Sequence, residues 1–444
     1  MNLTAQDSIA NETGADGDCA RGAAGFWRND DGQLMVEGVA LAEIASTVDT
    51  PAYVYSRATL EASYRAWDEA LAPHPHRIAF AVKANSALGV LDVLGRLGAA
   101  FDIVSRGELE RVLRAGGHAR DVVFSGVGKR DDEIDRAIAL GIKAFNVESA
   151  EELDRIAARA RALNQTAPIS IRVNPEVDAN THPYIATGLK ENKFGVAFDE
   201  AVMLYRRAHV SAMLDVVGID AHIGSQITSL SPFVASAEKI LGLVDALGAE
   251  GIALDHIDLG GGLGITYRDE TPPTPADWGR AVLPLLEGRR QTLLVEPGRS
   301  IAAPAGVLLV RVLGRKTNGD HHFVIVDGAM NDLMRPALYG AWQAIESVAK
   351  PDTTDNGACV PVTVVGPVCE TGDFLGKQRT IDAITGDLLV VRDAGAYGFT
   401  MASRYNSRPK PAEVLVSGAH YSVITRRETI DDLMSREARM PSSW

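Results

Sequence analysis

The 444 residues, 46% of them hydrophobic and 23% charged, suit two soluble globular domains, each able to bury a core. A net charge of -14 disfavours nucleic acid and anionic membrane surfaces as partners, no apolar run approaches the ~18 residues of a membrane span, and the polar, acidic first residues lack a signal-peptide pattern. Three cysteines, Cys19, Cys359 and Cys369, without a C-x-x-C pair, argue against a disulfide framework or a thiolate metal site, so a reducing, cytoplasmic location is expected.

Residues 1 to about 24 are rich in Asp, Asn, Ala and Gly without periodicity and read as a mobile tail. Order is expected from Phe26. Gln33 to Glu37 reads as a strand, Val39 to Thr47 as a helix and AYVYS from Ala52 as another strand. From Arg77 short apolar runs alternate with helical segments, giving eight predicted strands near 78-83, 100-104, 121-125, 143-147, 169-174, 216-223, 255-260 and 292-296. Predicted helices between them include Leu88 to Leu97, Arg106 to Ala115, Asp131 to Leu140, Ala150 to Leu163 and Pro232 to Glu250. Ser105 and Ser149 are placed as N-caps, and Gly98, Gly116 and Gly141 as stops. Eight β-α units point to a closed (β/α)8 barrel, and HIDLGGGLGI lacks the glycine spacing of a dinucleotide-binding open sheet.

After Pro304 the pattern becomes short β-branched runs, Val307 to Leu313, His322 to Val326, Val360 to Val365, Asp387 to Val391, Ala412 to Val416 and His420 to Ile424, separated by turn residues. The early strand pieces are expected to join this sheet. Thr271 to Asp277 and Lys350 to Ala358 read as surface loops, and His74, His76 and the pair His321-His322 as loop or turn residues, so no metal is expected. The predicted organisation is α/β. A tail covers 1-24, and strands and a helix that join the β domain cover 25-50. A (β/α)8 barrel of the TIM type then spans 51-303, and a mostly antiparallel β domain of sandwich or barrel-like form spans 304-444.

In such a barrel the active face is the C-terminal end of the strands. Those ends carry Lys83, Asp102, Arg172 with Asn174, His222 in HIGSQ, Gly260 to Gly264 in GGGLG, and Glu296 in EPGR. Lys83, after the buried run Ile78 to Val82, is either a lysine snorkelling from a strand end or an amine held in an apolar pocket as a Schiff-base nucleophile. GGGLG is either a tight turn or a loop whose bare amides cradle phosphate, with Ser225 adding a hydroxyl. His222 is either a satisfied buried histidine or a ring that stacks on a flat aromatic group. Glu296 is either a salt-bridge partner or the counter-ion of a pyridine nitrogen. Together they describe a site for a phosphorylated carbonyl cofactor. Cys369 alone reads as a small buried hydrophobe; within VCETGD, beside Glu370 and Asp373, it belongs to a polar loop.

FAVKAN, RVNP, HIGSQ, GGGLG, EPGR, VCETGD and DAGAY, in this order, resemble the barrel-type pyridoxal-phosphate-dependent decarboxylases from about Phe26 to the end of the chain. THPYIATGLKENKFG, MNDLMRPALYGAW and SRYNSRPKPAEVLV are similar to the branch acting on meso-2,6-diaminopimelate, which yields L-lysine and carbon dioxide. The resemblance implies pyridoxal 5'-phosphate held by Lys83, Asp102, Arg172, His222, Ser225, Gly261, Gly262, Gly264, Glu296, Gly298, Arg299 and Tyr397. Lys83 would form the Schiff base, His222 stack on the ring, Glu296 pair with its nitrogen, and Tyr397 reach the phosphate. Arg299, Arg335 and Tyr339 would clamp the substrate's distal carboxylate and Glu370 its distal ammonium, with Tyr397 also lining the substrate site. Cys369 would protonate the carbon that loses carbon dioxide. It also implies a homodimer in which the Cys369 loop enters the other subunit's site. Thr371 stands where that family usually has serine, and keeps the hydroxyl.

Three other readings compete. A decarboxylase for ornithine, arginine or lysine, or one acting in polyamine synthesis, would leave the Arg335-Tyr339 clamp unpaired. An alanine-racemase-like isomerase would place an arginine where Glu296 stands. A cofactor-less binding protein would have no use for Lys83, Glu296 and Cys369.

Overall fold

The computed structural model describes residues 25-178, 193-349 and 360-442. The expected tail, most of THPYIATGLKENKFG, all of Lys350 to Ala358, and Cys19 and Cys359 lie outside the described residues. The chain forms two compact units, one of residues 60-303 and one built from residues up to 59 together with those from 304 onward.

The first unit is a closed barrel of eight parallel strands, His76–Ala81, Ala100–Ile103, Val122–Phe124, Ala144–Val147, Ala167–Arg172, Leu214–Asp220, His256–Asp258 and Thr292–Val295. The last strand pairs with the first, Leu293 against His76 and Val295 against Ile78, and so removes every free edge. Each strand reads as a continuous apolar run because its two faces are both covered, one by helices and one by the barrel interior. That interior takes small side chains: Ala79, Ala100, Val123, Ala144 and Leu294 form one buried cluster.

Helices follow the strands as predicted, at Leu88–Arg96, Arg106–Arg114, Asp131–Leu140, Ala150–Leu163 and Ser231–Ala249. Ser105 and Ser149 accept from the amides of Glu108 and Glu152, satisfying donors that the first turns leave orphaned, and Gly141 closes its helix in the left-handed region. One expected loop is corrected. In Thr271 to Asp277 the chain turns helical at Pro275, with Thr274 and Asp277 forming a capping box and proline occupying the position where its missing N–H costs nothing. His74 lies in the bend before the first barrel strand as expected, but the other three are in strands: His76 opens the first barrel strand, 3.2 Å from Asp68, and His321 and His322 open a strand of the second unit.

The second unit holds a nine-stranded sheet whose main path runs Phe374–Arg379, Val362–Val365, His321–Val326, Gly306–Asn318, Ala52–Ser56, Ala412–Ser417, His420–Thr425. Leu388–Val391 pairs with Gly306–Asn318 and with Ile345–Ser347. Most pairings are antiparallel; Ala52–Ser56 with Ala412–Ser417, and His321–Val326 with Val362–Val365, are parallel. Ala52–Ser56 joins this sheet, whereas Leu34–Val36 pairs with Phe26–Arg28 and Val39–Ala40 in a separate three-stranded sheet. Leu34, Val36, Leu41 and Ile44 pack with Val54, Val307, Leu309, Val390 and Val414 in one buried cluster, so that residues near both ends of the chain share a core. No helix among the described residues is long and apolar enough to cross a membrane.

Candidate active site

The C-terminal ends of the barrel strands gather a set of buried charged groups, among them Asp102, Arg172, Asp220, Asp258 and Glu296. The first strand stops at Ala81 and a single 3-10 turn, Val82–Ala84, aims Lys83 at the second strand, where its Nζ donates to Asp102 Oδ2 at 2.5 Å. At the end of the fifth strand Arg172 donates to Glu148 Oε1 at 3.1 Å and lies 3.7 Å from Asp220 Oδ2. Glu148 also accepts from the amides of Gly126 at 3.0 Å and Gly195 at 2.8 Å. Behind it Lys129 is buried and fully satisfied, donating to Gly126 O, Asn146 O and Glu152.

His222 follows the sixth strand. The Gly261 amide donates to its Nδ1 at 3.1 Å, which fixes the neutral ring with its proton on Nε2. Burial, reinforced by the charges of Arg172 and Lys83, pushes its pKa well below the ordinary histidine value. The glycine loop after the seventh strand is docked on its neighbours. A Cβ on Gly261 would collide with the Glu296 carbonyl, and one on Gly262 (φ +112) with the Gly224 carbonyl. The amides of Gly260, Gly261 and Gly264 are given to Asp258 Oδ1, His222 Nδ1 and Ile227 O. Beside the loop, Arg299 donates to Ser225 Oγ at 2.9 Å and to the Tyr267 hydroxyl at 2.8 Å, so Arg299 sits at the same corner as Ser225. Gly298 packs closely on Ala81 and Ala84 of the lysine turn.

Glu296 ends the eighth strand within a trio of buried carboxyls: oxygens of Asp220, Asp258 and Glu296 lie within 4.8 Å of one another. Burial above all raises all three pKa values, each helped by its acidic neighbours; Asp258 is pushed up to about 7. Glu108, on the first turn after the second strand, is likewise pushed up by burial to about 7 despite the opposing Val104 amide and Lys83.

The barrel thus brings together Lys83, Asp102, Arg172, His222, Ser225, Gly261, Gly262, Gly264, Glu296, Gly298 and Arg299. The remaining predicted residues, Arg335, Tyr339, Cys369, Glu370 and Tyr397, belong to the second unit. There Arg335 is buried at the start of the short helix Arg335–Tyr339, and Cys369 and Glu370 are exposed on one loop. Tyr397 is held in the left-handed region with φ 56. Sequence reasoning missed Asp220, Asp258, Glu148 and Glu108. An acid closing an otherwise apolar strand, as in VVGID and HIDLG, was the available signal.

A family model described as "Pyridoxal-dependent decarboxylase, pyridoxal binding domain" matches residues 57–303. A curated diaminopimelate decarboxylase of Pseudomonas aeruginosa is 57% identical over 93% of this chain and 98% of its own. The crystal structure of diaminopimelate decarboxylase from Helicobacter pylori complexed with L-lysine superposes with a TM-score of 0.85 at 41% identity, covering 89% of this chain and 98% of the other. The corresponding M. jannaschii structure in complex with L-lysine gives 0.88 at 35% identity, covering 94% and 98%.

Proposed function

Because the chain belongs to the diaminopimelate decarboxylases of the pyridoxal-dependent decarboxylase family, we propose the following division of labour among its residues. The reaction is the decarboxylation of diaminopimelate to lysine, and the cofactor is pyridoxal 5'-phosphate. The meso compound is the proposed substrate, and the cytoplasm the proposed location. The barrel residues fit the cofactor: Glu296 Oε1 and Asp220 Oδ1 are buried without a hydrogen-bond partner among the described residues, as acids awaiting a cationic N–H would be, and the side-chain-free glycine loop lies beside Ser225 and Arg299. When bound, the cofactor supplies the aldehyde that condenses with amines and the ring that draws off the electron pair left by carbon dioxide.

Lys83 is the amine that carries the cofactor, and Asp102 Oδ2 holds the proton that Lys83 must lose and regain. Arg172 and Asp102 would help hold the cofactor, and the neutral imidazole of His222 would stack on its ring. Ser225, Arg299 and Gly298 would bind the phosphate with the glycine loop, where Gly262 faces it and Gly261 and Gly264, whose amides are committed to His222 and Ile227, contribute by carrying no side chain, and Tyr397 would reach it. Glu296 fixes negative charge at the ring nitrogen. Arg299, Arg335 and Tyr339 take the substrate's distal carboxylate, and Glu370 its distal ammonium. As the bond to carbon dioxide breaks, its electron pair is released to the substrate carbon, and the Cys369 thiol gives that carbon a proton to form the new C–H bond. The thiolate regains its proton from solvent. The proposed assembly is a homodimer in which the Cys369 loop serves the site of the other copy.

The observation that carries this reading is the meeting of Lys83, Glu296 and the Ser225-Arg299 corner at one barrel mouth. The test is carbon dioxide release from meso-diaminopimelate against lysine, ornithine and arginine. An unmatched buried charge typically costs about 3 to 5 kcal/mol, so kcat/KM should favour diaminopimelate over lysine by roughly a hundredfold to a few thousandfold. Comparable values for diaminopimelate and ornithine would sink the clamp assignment.

A further inference from the structure

The segment Ser403 to Arg408, within SRYNSRPKPAEVLV, has no part in the reaction as described above. In the structure it is a 3-10 turn, Tyr405–Ser407, pinned on both sides. Before it, the Ser403 amide donates to Asn331 O at 2.8 Å and the Arg404 guanidinium to Glu428 at 2.6 Å; after it, Arg408 donates to Asp327 O at 2.7 Å. Between these anchors Asn406 and Ser407 both adopt φ 54, the left-handed region that costs most side chains on the order of 1 kcal/mol and that asparagine tolerates best. Two such residues in succession need a reason.

The reason is on the neighbouring loop. Asn406 Oδ1 accepts from the Cys369 amide at 2.8 Å, and the Tyr405 hydroxyl donates to Glu370 Oε2 at 3.4 Å. The base of that loop is fixed separately by Asp373, whose two oxygens accept from the amides of Met330 at 2.7 Å and Val368 at 2.8 Å. The exposed tip closes on itself through the Glu370 amide to Val368 O at 2.8 Å and the Asp373 amide to Glu370 O at 3.0 Å, and two adjacent side chains of the strained turn tie it to the neighbouring segment. We infer that Asn406 and Tyr405 are positioning residues for the reaction, Asn406 for the proton-donating thiol of Cys369 and Tyr405 for the carboxylate of Glu370. This rests on the roles proposed above for Cys369 and Glu370.

The two positions predict opposite kinetic signatures. Asn406→Gly keeps the left-handed backbone and removes the acceptor, so kcat should fall about tenfold or more with KM within about twofold, because proton delivery is lost and binding is not. Asn406→Asp keeps both acceptor and backbone and should restore kcat to within about threefold. Tyr405→Phe should raise KM about three- to tenfold with kcat nearly unchanged. In cofactor-free protein, hydrogen exchange of the Cys369 amide should be faster in Asn406→Gly than in the unmutated chain and in Asn406→Asp. Cys369→Ser, run alongside, separates the two levels. If it cuts kcat while Asn406→Gly does not, the positioning role is overturned and the role of Cys369 stands. If it leaves kcat unchanged, both fall. Failure of Asn406→Asp to recover, or kcat loss in Tyr405→Phe at constant KM, also overturns the inference.

Discussion

Three carboxyls crowded within 4.8 Å in a buried site cannot all be ionised at neutral pH without a cation between them. Asp258 and Glu296 can satisfy each other only by sharing a proton. The neutral form of Asp258 is favoured by burial above all and by the charge of Asp102, with the Gly260 amide, the Glu296 side chain and Arg172 opposing. In the unfolded chain the same group ionises near the ordinary value of about 4. A raised carboxyl contributes stability that is present at low pH and is lost as pH rises through its folded value. Cofactor-free protein should therefore show a urea midpoint that falls between about pH 4, where the unfolded group ionises, and the folded value of about 7 for Asp258, and that levels off above it. Asp258→Asn keeps an oxygen for the Gly260 amide and carries a permanent donor, so it should flatten this decline; an unchanged slope would mean that the trio does not share a proton. At the first strand, Lys83→Ala should abolish both turnover and the absorbance of the lysine-bound cofactor, read by spectrophotometry after reconstitution. A borohydride-trapped adduct on another lysine would contradict the assignment. These acids escaped the sequence reading because an aspartate closing VVGID or HIDLG looks like any polar residue leaving a sheet. Lys83, His222 and Glu296 were legible because each stands at a strand end and within a motif.

Glu148 works at the scale of elements, since one carboxylate joins the turn after the third strand, the end of the fifth strand and Gly195. Removing it leaves Arg172 buried with Asp220 as its remaining close carboxylate, and breaking such a pair typically costs about 3 to 5 kcal/mol. Glu148→Ala should lower stability by that order in urea unfolding, and weaken cofactor binding measured by fluorescence titration. An effect below about 1 kcal/mol would show that the network is not needed for the fold. The barrel strands could be read from the sequence because burial on both faces makes each a continuous apolar run, and their helices because Ser105, Ser149 and Gly141 carry the cap chemistry. The second unit was less legible. Phe374–Arg379, FLGKQR, is a polar edge strand with an interior glycine, and Ile345–Ser347 is too short to show a period. Both are strands through their pairing partners and not through their own composition. The helix at Pro275 was hidden for the opposite reason, since a proline-rich approach looks like a loop until the Thr274-Asp277 box is noticed.

At the scale of the whole molecule, the proposed homodimer makes a quantitative demand. If the Cys369 loop serves the other copy, mixing inactive Lys83→Ala and Cys369→Ala chains yields mixed dimers with one intact and one doubly defective site. Random reassortment should then restore about a quarter of normal activity, half the dimers being mixed and half of their sites whole. Activity no greater than the sum of the two parents after subunit exchange would place both residues in one chain. The course of the chain has a further consequence, for its birth on the ribosome. Ala52–Ser56 lies between Gly306–Asn318 and Ala412–Ser417, and both of its neighbours are translated only after the entire barrel. The barrel, being contiguous, can close as it emerges, while this early strand must wait with one edge open until Gly306–Asn318 is made and with the other open until Ala412–Ser417 is made. Nascent chains stalled before Ala412 should accordingly be the form most exposed to mispairing and most in need of a chaperone's cover.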